Sequence, residues 1–212
     1  MVFCLMKKYI INFLIYYVME KIIEKIKNGE RLTDEEQLQM LEMPKRFEFL
    51  KMFLSARNWL CKAAQLKLFD LPDKEKLLKR YIRQYALCDM AEVKMLDMPE
   101  RSEFLKMYLG VGYNLCEKAQ LKMVGLPERV KLLGIYLLPK NRLCDEAELK
   151  LFDMPERVEL FKLYVQENYL CDWAELKMLD MPERNEFLGR YLGLGYRLCD
   201  KAQKRARELR LM

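Results

Sequence analysis

Two residue types mark out the same period along this chain. Cysteines stand at Cys61, Cys88, Cys116, Cys144, Cys171 and Cys199, and prolines at Pro44, Pro72, Pro99, Pro127, Pro155 and Pro182. Each series steps by 27 or 28 residues, and each proline follows its cysteine slot by 11, with Thr33 filling the slot before Pro44. A period of this size marks a repeat array, in which one unit cannot bury its own apolar face and stacks on its neighbours instead. The repeats run 33–60, 61–87, 88–115, 116–143, 144–170 and 171–198. Their lengths read 28, 27, 28 and then again 28, 27, 28. Repeats 88–115 and 171–198 agree at 21 of 28 positions, which points to duplication of a unit of three repeats.

One repeat, CDEAELKLFDMPERVELFKLYVQENYL at 144–170, reads as two helices. Asp145 followed by Glu148 has the pattern of a capping box, which predicts the start of a first helix of about nine residues. Asp89/Glu92, Asp172/Glu175 and Asp200/Gln203 repeat that pattern. Cys144, Ala147 and Leu151 would then share one face. Pro155 cannot continue this helix and is expected as the first residue of a second one, whose apolar stripe is Leu160, Phe161, Tyr164 and Val165. The one-residue length difference falls after the second helix. Leu109-Gly110-Val111-Gly112 and Leu192-Gly193-Leu194-Gly195 end it with glycine there, and the fourth repeat has Pro139 instead. The expected fold is all-α: an αα-solenoid, a superhelical stack of six helix-turn-helix repeats at 33–198. A hydrophobic capping helix is expected in 1–32 and a charged half-repeat cap in 199–212.

Composition narrows the function. The chain has no histidine, two serines (Ser55, Ser102) and one threonine (Thr33), so the usual base for a Ser or Cys nucleophile and the commonest metal ligand are both missing. A non-enzymatic protein without a cofactor is expected. Hydrophobic residues make up 52% of the chain, too many for a disordered one. Six of the seven cysteines follow the repeat spacing and none forms a CxxC pair, which predicts free thiols, packed as small apolar residues in a cytoplasmic protein. Tyr81, Tyr108, Tyr136, Tyr164 and Tyr191, with Phe53 in the first repeat, are expected in the core.

Two basic ladders run through the repeats: Lys67, Lys94, Lys122, Lys150, Lys177 and Arg205, and Arg46, Lys74, Arg101, Arg129, Arg157 and Arg184. They would suit a phosphate backbone. The repeat body, however, holds 27 basic and 27 acidic residues, with acidic ladders such as Asp70, Asp97, Asp153 and Asp180. Ion pairs between repeats are therefore the expectation, and nucleic-acid binding is the weaker alternative. A protein or peptide partner is expected instead, at positions that vary between repeats. One such slot reads Ala63, Met90, Lys118, Glu146, Trp173, Lys201, and a second reads Phe47, Glu75, Ser102, Val130, Val158, Asn185. The candidate partner-binding residues are Trp173, Met90, Phe47, Val130, Val158 and Asn185. Trp173 has a plainer alternative, lying over Lys177 four residues on. Near the N-terminus, Tyr9–Met19 is apolar apart from Asn12. That stretch is shorter than the roughly 20 residues a spanning helix needs. It suits a cap over the first repeat, with membrane contact through residues 9–26 as the alternative.

Overall fold

The computed structural model describes residues 16–212, and its regular structure there is entirely helical. Helix α1 covers residues 16–27. The first helices of the repeats are α2 (Asp34–Glu42), α4 (Lys62–Leu68), α6 (Asp89–Met95), α8 (Glu117–Gly125), α10 (Asp145–Leu151) and α12 (Asp172–Asp180), followed by α14 (Asp200–Glu208) of the half repeat. The second helices are α3 (Arg46–Ser55), α5 (Lys74–Ile82), α7 (Arg101–Gly110), α9 (Arg129–Leu137), α11 (Arg157–Val165) and α13 (Arg184–Gly193). The chain is thus a helical-repeat solenoid. It groups into two compact units, one ending at Lys94 and one spanning Met95–Met212. In the first unit α2 packs on α4 and α3 on α5. In the second, α8, α10, α12 and α14 stack as one layer and α7, α9, α11 and α13 as the other.

The cysteine slot is the N-cap of each first helix. Cys61, Cys116, Cys144, Cys171 and Cys199 all have extended backbone there, and Cys61 Sγ accepts from the Ala64 N–H at 3.4 Å. This corrects the expected capping box, because Asp145 and Asp172 are the first helical residues and not the caps. Of these cysteines Cys61 is the one whose side chain caps; at Cys144, Cys171 and Cys199 the backbone takes the cap position without a side-chain cap bond. Thr33, the first occupant of the slot, forms a true capping box with Glu36. All six described cysteines are free thiols.

Pro155 lies before the second helix rather than in it. Met154, Pro155, Glu156 and Arg157 form a β-turn closed by the Arg157 N–H on the Met154 carbonyl at 3.1 Å, and α11 starts at Arg157. The same turn recurs before α3, α5, α7, α9 and α13. Proline suits its second position because the ring already holds φ near the value a type I turn requires. The chain thus reverses within three residues and lays the second helix back on the first.

The extra residue of the 28-residue repeats is one left-handed residue. Arg57, Gly112, Lys140 and Gly195 have positive φ, whereas repeats 61–87 and 144–170 contain no such residue. At Gly112 the motif is complete, with Gly112 N–H on Leu109 O at 2.9 Å and Tyr113 N–H on Tyr108 O at 3.3 Å.

The core is built from repeated slots. The tyrosine ladder with Phe53 is buried as expected, and so are Leu160, Phe161, Tyr164 and Val165 of α11. Ala64, Ala91, Ala119, Ala147, Ala174 and Ala202, one on each first helix from α4 to α14, are fully buried. In the described part of the N-terminal segment, Ile22 and Ile26 are buried and Lys25 pairs with Glu36 of α2 at 2.6 Å. Residues 1–15, including most of the apolar stretch, lie outside the described residues.

Gln37, Gln65, Glu92, Gln120, Glu148 and Glu175 form a buried polar ladder, and within each unit its members fasten one repeat to the next. The side-chain oxygen of Gln37, Gln65 and Gln120 accepts the backbone N–H of the following cysteine, Cys61, Cys88 and Cys144, at 2.6–2.7 Å. Each amide then donates to a carbonyl five residues back, Leu32, Leu60 and Leu115 respectively. Glutamate keeps the first bond, to Cys171 N–H from Glu148 and to Cys199 N–H from Glu175. Having no proton to give, it takes one from a tyrosine of its own repeat, Tyr164 for Glu148 and Tyr191 for Glu175.

Glu148→Ala should therefore lower stability by about 3–5 kcal/mol, since it strands a buried N–H, a phenol and an arginine. Glu148→Gln should cost about 1–2 kcal/mol, because the amide can turn to the Leu143 carbonyl as its glutamine counterparts do. Lys177→Ala, which breaks an exposed ion pair, should cost below about 1 kcal/mol. Urea denaturation followed by circular dichroism would check this order. The left-handed positions give a second check by the same method: Lys140→Gly should stabilise by about 0.5–1 kcal/mol, and Gly112→Ala should destabilise by about 1 kcal/mol.

Candidate functional site

Most rungs of both basic ladders pair with acids of neighbouring repeats. Lys67 pairs with Glu42, Lys94 with Asp70, Lys122 with Asp97, Lys177 with Asp153 and Arg205 with Asp180, at 2.5–2.8 Å. Arg46 pairs with Asp73, Arg101 with Glu128, Arg129 with Glu156 and Arg157 with Glu183, at 2.6–2.8 Å. These bonds hold the Arg101 and Arg157 guanidiniums above their usual range and the Glu128, Glu156 and Glu183 carboxyls below theirs. Lys150 explains itself by exception. Gly125 stands where the other repeats have an acid, and Lys150 Nζ donates to the Leu121 carbonyl at 3.1 Å instead.

The feature that stands out lies on the loop edge of the second unit, where the chain enters α10, α12 and α14. Arg142, Tyr169 and Arg197 each sit two residues before a cysteine cap, so stacking brings one slot of three successive repeats into a row. With Trp173, Tyr191 and Tyr196 they line an open cleft of about 710 Å³. Tyr169 is 56% exposed and Trp173 62%. The Arg142 guanidinium lies over the Tyr169 ring at 4.3 Å, and Lys201 Nζ lies 5.5 Å from the Trp173 ring centre. Arg197 is exposed, with no ion-pair partner among the described residues. Asp145 and Asp172 complete the rim at the starts of α10 and α12.

Beneath the rim the polar groups satisfy one another. Glu148, fully buried, holds Arg142 Nε at 3.1 Å, the Tyr164 hydroxyl at 2.5 Å and the Cys171 N–H at 2.6 Å. Burial works against the Arg142 charge, but Glu148 more than offsets it and keeps the guanidinium firmly protonated. Burial and then the Glu148 carboxylate push the Tyr164 phenol well above its ordinary range. Tyr191 donates to Glu175 at 2.9 Å and accepts the Leu170 N–H at 3.2 Å, while its ring stacks on Tyr196 at 5.0 Å. Burial pushes the Cys171 thiol up to about 12, so it is a poor nucleophile at neutral pH. Among the described residues no group of three His, Cys, Asp or Glu side chains could hold a metal ion.

The structure brings Trp173 into this cleft and scatters the other sequence candidates. Lys177 does not lie under the Trp173 ring, because Asp153 claims it; the cation there is Lys201, from the next repeat. Met90 is exposed on α6. Phe47, on α3 of the first unit, is half-buried under Lys76 Nζ at 3.8 Å. Val130 and Val158 are half-buried and Asn185 exposed at the starts of α9, α11 and α13, in the other helix layer. Sequence reading missed Tyr169, Arg142 and Arg197. Their signal was a third variable slot, reading Arg31, Trp59, Ala86, Asn114, Arg142, Tyr169, Arg197. In the first unit that slot forms a second cation–aromatic stack, Arg31 over Trp59 at 4.7 Å, beside a smaller cleft of about 190 Å³. No helix among the described residues is long and apolar enough to cross a membrane. Comparison with protein-family models, with curated proteins and with solved structures gave no match for this chain.

Proposed function

We propose that this chain is a non-enzymatic repeat scaffold that takes up a protein or peptide segment in the cleft framed by Tyr169, Trp173 and Arg197. The observation that carries the reading is the meeting of two exposed aromatic side chains with an arginine that has no ion-pair partner among the described residues. Tryptophan, tyrosine and arginine dominate binding energy when a partner covers them and excludes water. A cleft of about 710 Å³ has room for a few side chains of an extended segment. The buried carboxylates beside it are spoken for by backbone and phenol donors, and the Cys171 thiol stays protonated, which favours binding over acid–base or nucleophilic chemistry. Neutralised ladders favour a protein partner over a nucleic acid, since few ladder cations are left to displace counterions. The free thiols fit a cytoplasmic location.

A displayed peptide library panned against the purified chain tests this. Enriched peptides should lose at least about tenfold in affinity, near 1.4 kcal/mol, with Trp173→Ala and with Tyr169→Ala, and should be unaffected by Met90→Ala on the first unit. A library that enriches nothing, or peptides that bind all variants alike, would overturn the proposal.

A further inference from the structure

The repeats are neutral in sum, yet 61–87 alone holds seven basic and three acidic residues. All three acids are engaged: Asp70 by Lys94, Asp73 by Arg46, and Glu75 by Lys79. The surplus gathers in the first unit, on the second-helix layer. An open cleft of about 590 Å³ between α3 and α5 is lined by Phe47, Lys51, Glu75, Lys76, Lys79, Arg80 and Arg83. Lys51, Lys76, Arg80 and Arg83 have no carboxylate within ion-pair distance among the described residues.

Lys76, Arg80 and Arg83 stand three, four and seven residues from one another on one face of α5 and its cap, with Lys79 next to Arg80. Like charges at those spacings oppose helix formation. The helix dipole favours cations near its C-terminus, which accounts for Lys79, Arg80 and Arg83. It does not account for Lys76 in the first turn or for Lys51 on α3. Arg80 Nε is buried without a hydrogen-bond partner. Arg190, in the same register of α13, buries its Nε likewise, so the orphaned atom belongs to the slot and the crowding of cations belongs to this cleft.

We propose that this cleft binds a ligand carrying clustered phosphate groups. Each phosphate brings nearly two charges and three acceptor oxygens, and a pair of them would match four unpaired cations. Arginine at two of the four positions favours phosphate, whose oxygens fit the guanidinium fork. Lys76 Nζ lies 3.8 Å from the Phe47 ring centre, so this aromatic ring is already faced by a cation. This site is separate from the Tyr169–Trp173 cleft and stands or falls without it.

Titration calorimetry of the full chain at low salt with inorganic tripolyphosphate tests the proposal. Saturable binding is expected, weakened at least about tenfold by the Arg80→Gln/Arg83→Gln double variant and steeply by added salt. Lys177→Gln, which removes an already neutralised cation, should leave it unchanged. Circular dichroism would confirm that all variants stay folded. Phosphatidylcholine vesicles with and without phosphatidylinositol bisphosphate separate the sources: arginine-dependent binding to the phosphoinositide vesicles supports a lipid-borne ligand, and tripolyphosphate binding alone supports a soluble one. No binding at low salt, equal loss with Lys177→Gln, or equal binding of a polyglutamate peptide would overturn the proposal.

Discussion

The bond from a buried Gln or Glu side chain to the backbone N–H of the next repeat's cysteine is what the rest of this fold depends on. That N–H belongs to the N-cap residue of a short helix and has no partner within its own repeat. Left unpaired in the interior it would cost more than a helix of seven residues could recover, since helices this short are marginal alone. By accepting from it, Gln37, Gln65, Gln120, Glu148 and Glu175 fix the register of one first helix against the next. The alanines then close the contact, because nothing larger would let the helices approach. Apolar burial supplies most of the stabilising energy, and the amide ladder decides which arrangement that burial takes.

The choice between Gln and Glu has consequences across each repeat. Glutamine carries its own donor and needs only a nearby carbonyl. Glutamate needs a donor brought to it, and the tyrosine of the second helix provides one. The first repeat, with Gln37, has Phe53 in the tyrosine slot and loses nothing by it. In the fourth repeat, with Gln120, the Tyr136 hydroxyl turns to the Arg142 carbonyl at 3.1 Å. Glu148 extends its network to Arg142, and Arg142 in turn covers Tyr169. The candidate cleft is therefore not an ornament on the edge of the fold; its floor is the joint between repeats. Substitutions made there act on assembly and on binding together, so exposed Trp173 and Tyr169 separate the two effects better than any residue below them.

Much of this was legible in the residues. The paired cysteine and proline periods defined the repeats, because a turn that favours proline and an extended N-cap position recur wherever the chain reverses. The tyrosine ladder and the α11 stripe lay in the core where helical spacing put them, and most rungs of the basic ladders met an acid of a neighbouring repeat. The errors have a common cause. Glu148 three residues after Asp145 has the spacing of a local capping box, and nothing local says that its partner lies in the next repeat. Pro155 suits the first turn of a helix as well as a type I turn, and the choice rests on where the preceding helix must stop.

What the sequence determined by itself was periodic: the helical class, the repeat boundaries, the buried stripes and the site of the one-residue length difference. Each follows from spacing along the chain, through helix period, turn chemistry and backbone handedness. What only the tertiary structure decided was adjacency. It brought Arg142, Tyr169 and Arg197 into one row, set Lys201 rather than Lys177 over Trp173, and gathered the unpaired cations of α3 and α5 into one cleft. The physical reason is that stacking converts a sequence separation of 27 or 28 residues into direct contact, and which side chains then face each other depends on packing and not on spacing.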